Sequence, residues 1–369
     1  MPIPNRNTSV DLIRLLALIG ICIVNVVFLG LPVDVALSPA LSGADQIAAF
    51  LIEALLQSKF FVLFSFLFGW GIHVQEQSAR RAGVSFAGRF GRRMFGLAAL
   101  GCLHAVLVFT GDILLIYALL GVLIWPLHAR SPRTLMRVAY CMVPLAAVFL
   151  VTLAVMLPQE FAPVTGPGLG GSYFQATQAR LADWPGTLGF LLLFQGPLAF
   201  GAFAMGLAAA KTQFFSTGSP GRAALRRSLP WLLLAGVPLN IAYAASMGGL
   251  FPAEQEVPQL LGFVCIAVGG PMLAAVYLHL MLTLNDRIAL PSVLVAAGQN
   301  SLSVYVLQGI LAGFVFGGYG LGLFGRIGFA GLAPVGLLIS VLAVLTIGLV
   351  TKSGKRGPLE ALLRAGTYR

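Results

Sequence analysis

Residues 92–121 read RRMFGLAALGCLHAVLVFTGDILLIYALLG. Two arginines precede an apolar run, a Thr-Gly-Asp turn follows it, and a second apolar run returns. Each run approaches the ~20 apolar residues that cross a bilayer. The stretch therefore predicts a helical hairpin within a membrane.

The composition extends this prediction to the whole chain. Of 369 residues, 58% are apolar and only 9% are charged, whereas soluble domains have about 25% charged residues. The mean hydropathy is +0.93. These values exclude a cytosolic enzyme, a disordered protein and a secreted disulfide scaffold. The four cysteines lie in apolar runs without CxxC spacing, so no metal site or disulfide framework is expected.

The apolar runs predict an all-α fold, a polytopic membrane helix bundle of about ten transmembrane helices that forms one integral membrane domain over residues 1–369. Short connections leave no room for a large soluble domain. The predicted spans are 12–31, 58–74, 93–110, 112–128, 137–157, 187–209, 229–248, 258–283, 291–316 and 331–350.

The basic residues predict the orientation of these spans. Nineteen of the 23 Lys and Arg residues fall in the termini and the even-numbered connections, and such residues favour the cytoplasmic side. Both termini are therefore expected in the cytoplasm, in a multi-pass protein of the bacterial inner membrane. The net charge of +11 follows from topology, so membrane lipids, and not nucleic acid, are the expected partners.

The sequence also predicts the structure of three segments outside the predicted spans. Residues 44–57 suit an interfacial helix. Residues 158–186, rich in Gly and Pro, form a long outer loop that either covers an outward-facing site or is a loosely ordered connection. Near the end of the chain, Glu360 and Arg364 are spaced i,i+4 and suit a solvated or interfacial ion pair.

Charged residues inside spans require a partner or a function, because burial in lipid is costly. Asp11 and Arg14 share one helix face at i,i+3 and suit either a structural ion pair or ligand binding. Asn25 lies eleven residues after Arg14, roughly 16 Å further along the same face.

The opening hairpin holds the most suggestive cluster. Arg92 and Arg93 mark its inner end, and His104 lies about three turns deeper. Asp112 either caps the returning helix or orients His104 as a base. Lys59, expected near the same outer level, either extends to the interface or contributes to a site.

Nucleotide-binding, serine hydrolase and zinc protease motifs do not occur in the sequence. A dedicated ATPase or a zinc protease is therefore not expected, and no metal ligands are assigned.

Several strings resemble one family, the YeiB-like bacterial inner-membrane proteins of the domain of unknown function 418 group. The resemblance covers the chain from its first span to its last residues. Its strings are SVDLIRLLALIGICIVN (9–25), SKFFVLFSFLFGWG (58–71), the hairpin at 92–121, GQNSLSVYVLQ (298–308), FGGYGLGLFG (316–325) and GPLEALLRAGTY (357–368).

The first of these strings is also similar to the first span of membrane-embedded acyltransferases, although Leu15 stands where those proteins usually have Gly. This similarity implies a bundle that accepts acyl-coenzyme A from the cytoplasm and acylates a periplasmic or membrane-linked acceptor, such as a glycan or a lipid-linked group.

The resemblance implies roles for the candidate residues. Arg14, Arg92 and Arg93, with Asp11 beside Arg14, would bind the phosphates of coenzyme A. His104 oriented by Asp112 would act as general base, and Lys59 or Asn25 would stabilise the oxyanion.

Two other classes remain open from the residues themselves. A transporter of a small or lipidic solute would use the same polar groups as a pathway. A structural or lipid-binding component would need none of them for chemistry. The oligomeric state is not predicted.

Overall fold

A computed structural model describes residues 8–37, 42–156, 168–247 and 256–368, and every regular element in these ranges is helical. The α-helices are α1 (Thr8–Gly30), α2 (Val33–Leu37), α3 (Gly43–Leu55), α4 (Lys59–Arg81), α5 (Phe86–Leu107), α6 (Leu114–Ile124), α7 (Pro132–Met156), α8 (Tyr173–Lys211), α9 (Pro220–Met247), α10 (Glu256–Arg287), α11 (Ser292–Gln299), α12 (Ser301–Phe316), α13 (Phe329–Thr351) and α14 (Pro358–Thr367). Short 3-10 turns lie at Trp125–Leu127 and Gly168–Gly170.

Length and composition identify a multi-pass membrane protein. Within the described ranges, seven helical segments are long and apolar enough to cross a bilayer, or eight if the bent pair α11 and α12 is one span. Helices satisfy their own backbone hydrogen bonds, as lipid requires. Large apolar side chains also face outward, among them Phe95, which is 78% exposed, and Trp231, which is 71% exposed.

The predicted count of about ten spans is larger because it includes both arms of the hairpin. In its first half α5 carries Arg89, Arg92 and Arg93, and α6 has only 11 residues before the 3-10 turn. Neither belongs to the seven. The helix predicted at 44–57 is present as α3, and its interfacial position stays a prediction.

The prediction of a loop over 158–186 is wrong for its second half. Helix α8 begins at Tyr173, where Ser172 accepts a hydrogen bond from the Gln175 N–H and the Gln175 side chain accepts one from the Ser172 N–H. This capping box starts the helix, and Pro185 lies inside it. Residues 158–167 of the predicted loop lie outside the described residues.

The ninth predicted span, 291–316, is broken. Helices α11 and α12 meet at an angle of 87°, and Asn300 lies between them. Its side-chain N–H donates to the Ala296 carbonyl, and its oxygen accepts a hydrogen bond from the Gly357 N–H. The break therefore has its own polar partners, which a helix end inside a bundle requires.

One central helix and one close crossing between two other helices organise the bundle. Helix α1 contacts α4, α10, α11, α12 and α13, which makes it the central helix. Helix α4 crosses α8 at two glycines: a Cβ at Gly69 would collide with the Phe203 backbone, and one at Gly206 with the Phe66 backbone. Small residues permit such close approach between membrane helices.

Gly69→Ala is expected to lower the stability of the bundle by about 1–3 kcal/mol, because the added methyl group meets rigid backbone. Gly71→Ala is the matched control, since the nearest atom to its Cβ is the Gln75 side chain at 4.0 Å. Thermal unfolding of the detergent-purified proteins measures the difference. Equal melting temperatures for the two variants would contradict the close crossing.

Candidate functional site

A cavity of about 470 Å³ opens at the basic end of the bundle. Five cationic side chains line it: Arg14 from α1, Arg93 from α5, Lys355 and Arg356 from the segment before α14, and Arg364 from α14. Residues from the first helix, the hairpin and the C-terminal region are thus brought to one place. Such a cluster favours an anionic ligand.

The deeper wall of this large cavity is aromatic and apolar. Phe64, Phe68, Leu97, Tyr117 and Tyr305 line it. The Tyr117 hydroxyl donates to the Phe61 carbonyl over 3.2 Å and lies 2.7 Å from the Ser65 hydroxyl oxygen. The large cavity therefore passes from a charged mouth to a wall suited to an apolar group.

The five cationic side chains form a basic rim at the mouth of the large cavity, and neighbouring groups hold part of this rim in position. Asp11 pairs with Arg14 over 3.8 Å and is itself buried, which confirms the predicted i,i+3 pair. Arg92 lies outside the lining, and its Nε donates to the Thr367 carbonyl. Arg93 therefore lines the large cavity as predicted. Arg92, which was expected in the same role, instead holds α14 by a hydrogen bond.

The C-terminal helix α14 is a wall of the large cavity. Its Glu360 carboxylate accepts hydrogen bonds from the Leu302 and Ser303 N–H groups and from the Ser303 hydroxyl. It therefore caps the N-terminus of α12 across the helix break. This role corrects the interpretation of Glu360 as a solvated or interfacial partner of Arg364.

His104 and Asp112 form a buried pair at the far end of α5. His104 Nδ1 lies 2.9 Å from Asp112 Oδ1, and both residues are less than 5% exposed. The other carboxylate oxygen accepts from the Leu114 and Leu115 N–H groups at the start of α6. Asp112 therefore caps α6 with one oxygen and contacts His104 with the other, while the role of His104 as a base stays a prediction.

Tyr305 of α12 completes this group. Its hydroxyl donates to Asp112 Oδ1 over 3.3 Å, and its ring centroid lies 5.1 Å from that of His104. Tyr305 lines the large cavity and also a second, small cavity of about 10 Å³. Its side chain therefore separates the two.

The small cavity brings His104 together with Asn25, as their levels along α5 and α1 predict. Gln308 and Gly309 of α12 line it as well. A Cβ on Gly309 would lie 2.8 Å from His104 Nε2, so only glycine leaves room at this place. Such a volume holds about one water-sized group.

Lys59 does not reach either cavity lining. It is 0% exposed, and its Nζ donates to the Glu53 carbonyl over 2.9 Å. The prediction placed it beside His104 because both were assigned to one membrane level. Sequence distance along separate helices does not reveal which face each side chain takes.

Arg180 of α8 supports the His104 end of α5, a contact that no sequence pattern predicts. Its Nε donates to the Val106 carbonyl over 2.8 Å, and the nearby Tyr173 hydroxyl donates to the Leu107 carbonyl. Both satisfy carbonyls at the end of α5. Burial raises the pKa of Tyr319, which lies beside Arg180.

Across the described ranges, no group of three or more His, Cys, Asp or Glu side chains is placed to hold a metal ion.

Asp112→Asn is expected to change the tautomer of His104 while leaving the fold largely intact. The amide oxygen can still accept from the start of α6, but the side chain no longer supplies a charge that holds the proton on Nδ1. Nitrogen NMR of histidine-labelled protein should show a mixture of ring tautomers in this variant. Asp45→Asn is the control, and an unchanged His104 spectrum in Asp112→Asn would contradict the pairing.

Comparison with known proteins gives the chain its relatives. The family described as "Protein of unknown function (DUF418)" matches residues 209–369. YxaH of Bacillus subtilis strain 168, an uncharacterized protein, is 28% identical over 395 aligned positions, which cover 97% of this chain and 93% of YxaH.

Two further uncharacterized proteins are similar to the chain. YeiB of Escherichia coli K12, also uncharacterized, is 35% identical over 131 positions, 34% of this chain and 32% of YeiB. An uncharacterized 39.9 kDa protein of Bacillus acidopullulyticus is 26% identical over 98% of this chain and 94% of its own length. No solved structure matches the chain. The chain is therefore similar to the YeiB-like DUF418 proteins, through the family model over residues 209–369 and through YxaH over nearly its whole length.

Proposed function

We propose that this chain is a transmembrane acyltransferase of the bacterial inner membrane. It moves an acyl group from cytoplasmic acyl-coenzyme A to a periplasmic or membrane-linked acceptor. The observation that carries the proposal is the placement of a five-cation cavity and a buried His104–Asp112 pair on opposite sides of one residue, Tyr305.

The donor binds at the basic end. Coenzyme A carries phosphates that guanidinium and ammonium groups bind well, and Arg14, Arg93, Lys355, Arg356 and Arg364 face the large cavity. The phosphates lie at this rim, and the less polar arm that ends in the thioester extends along the aromatic wall toward Tyr305.

The distance between rim and base supports the same arrangement. Asn25 follows Arg14, and His104 follows Arg93, by eleven positions, roughly 16 Å of helix in each case. In both α1 and α5, the same distance along the helix separates an arginine at the basic rim from a polar residue deeper in the bundle.

The chemistry requires one base and a group that stabilises the oxyanion. His104, with its proton on Nδ1 beside Asp112, presents a bare Nε2 that takes a proton from the acceptor hydroxyl or amine. The acceptor atom bonds to the thioester carbonyl carbon, the carbon–sulfur bond breaks, and the proton passes on to the coenzyme A thiolate. Asn25 is the group placed to stabilise the oxyanion, while Lys59 has no part in this scheme.

Both termini lie in the cytoplasm in this proposal, and about ten helical passes include the α5–α6 hairpin. The basic rim then faces the compartment that holds acyl-coenzyme A. The acceptor, a glycan or a lipid-linked group, approaches the small cavity from the other side.

Arg14→Ala and Arg93→Ala are each expected to weaken binding of acetyl-coenzyme A by about tenfold or more, since each removes a charge-assisted contact to phosphate. Calorimetry on the detergent-purified protein measures the affinity. Arg133→Ala is the matched control, because Arg133 is exposed and outside the cavity lining.

Absence of acetyl- or longer acyl-coenzyme A binding by folded protein would overturn the acyltransferase proposal. Ion-dependent uptake of a solute by vesicles that contain the protein would then identify a transporter.

The orientation has its own test. In a variant without native cysteines, Arg326→Cys is expected to react with a membrane-impermeant maleimide applied to the periplasmic face, and Lys352→Cys is not. Both positions are exposed in the structure, so the difference reports the side of the membrane. The reverse pattern would place the basic rim outside and remove the donor site from the cytoplasm.

A further inference from the structure

The small cavity beside His104 contains two hydrogen-bond acceptors without donors. His104 Nε2 and Gln308 Oε1 are both buried and have no hydrogen-bond partner, and both residues line this cavity. His104 is 4% exposed and Gln308 is 3% exposed. A buried polar atom without a partner is costly, so the pair points to a ligand.

The surrounding contacts fix both atoms as acceptors. The Gln308 amide nitrogen donates to the Leu18 carbonyl and to the Ser340 hydroxyl; a carbonyl only accepts, so the amide cannot be turned around. A carboxylate accepts hydrogen bonds, so the 2.9 Å contact with Asp112 Oδ1 favours a proton on His104 Nδ1, and a neutral ring in this tautomer has a lone pair on Nε2.

Two unpartnered acceptors on residues that line one water-sized space require a group with two hydrogens. A hydroxyl group has one hydrogen and leaves one acceptor unpaired. A neutral primary amino group has two and satisfies both, as does the water molecule that it would displace. We therefore propose that the small cavity is the binding site for a primary amine, the nucleophilic end of the acyl acceptor, which donates one N–H to His104 Nε2 and the other to Gln308 Oε1.

Gly309 sets the size of this site, since a methyl group there would lie 2.8 Å from Nε2. The remaining wall is apolar or weakly polar, with Cys22, Leu29, Phe109 and Ala312 around the polar groups. The site thus has room for one amino group, and the carbon chain of the ligand lies outside the small cavity.

This inference rests on the proposed function only for its chemical step. The amine nitrogen bonds to the thioester carbon as the carbon–sulfur bond breaks. One of its N–H protons moves to His104 Nε2 and then to the released thiolate, so the products are an amide and free coenzyme A.

Binding itself is tested without any acyl donor. The full chain, labelled with ¹⁵N-histidine in detergent, is titrated with ethanolamine and separately with ethylene glycol, which has the same skeleton with a hydroxyl in place of the amine. The His104 Nε2 signal is assigned by its loss in His104→Gln. Ethanolamine is expected to shift this signal with at least about tenfold higher affinity than ethylene glycol, because the diol leaves one buried acceptor unpaired.

Two variants and their controls locate the site. Gln308→Met removes the second acceptor, and Gly309→Ala fills the space; each is expected to weaken ethanolamine binding by about tenfold or more. Gln178→Met and Gly189→Ala are the controls, since Gln178 is exposed and a Cβ on Gly189 meets nothing within 4 Å.

Absence of any ethanolamine-induced shift of the His104 signal would show that the space takes water only and would overturn the amine site. Equal affinities for ethanolamine and ethylene glycol, or ethanolamine binding unaffected by Gln308→Met, would overturn it as well. Acetyl-coenzyme A binding by the same samples reports the large cavity separately. A chain that binds ethanolamine at His104 but no acyl-coenzyme A would keep this site and lose the proposed transferase activity.

Discussion

The carboxylate of Asp112 holds the centre of the site together. One oxygen accepts from the first N–H groups of α6, and the other meets His104 of α5 and Tyr305 of α12. A buried charge is tolerated only when such partners surround it. Because all three partners come from different helices, their positions are not independent. The position of Tyr305 beside the two cavities and the orientation of the His104 ring both follow from this single side chain.

The two cavities differ in the electrostatics they offer. The large one has five cations at its mouth, whereas the small one presents neutral polar groups and apolar surface. An anion is attracted to the first and gains nothing in the second, where a neutral hydrogen-bond donor is favoured. Tyr305 keeps these environments apart while contacting both. Two ligands of opposite character can therefore be held close together without either occupying the other's place.

Spacing along single helices was the part of the site that the sequence could predict. The Asp11–Arg14 pair and the shared level of Asn25 and His104 follow from helical periodicity, and Asp112 follows His104 across one short turn. The contribution of Lys355, Arg356 and Tyr305 could not be predicted, because no periodicity relates α12 or the C-terminal segment to α5. The predicted position of Lys59 was wrong for the same reason, because no periodicity relates α4 to α5. The break at Asn300 was not part of the predicted span over 291–316, because neither its 87° angle nor the contact of Glu360 with the start of α12 follows from local sequence.

The capping of α12 by Glu360 has a consequence for the assembly of the bundle, because Glu360 is made late in synthesis. Arg92 and its partner Thr367 are separated by 275 positions, so the ribosome makes the hairpin long before the helix that closes its basic face. Until α14 emerges, the break at Asn300 lacks its cap and the rim lacks three of its cations. Assembly in the membrane is therefore completed at this cavity, which stays open until the last helix is in place.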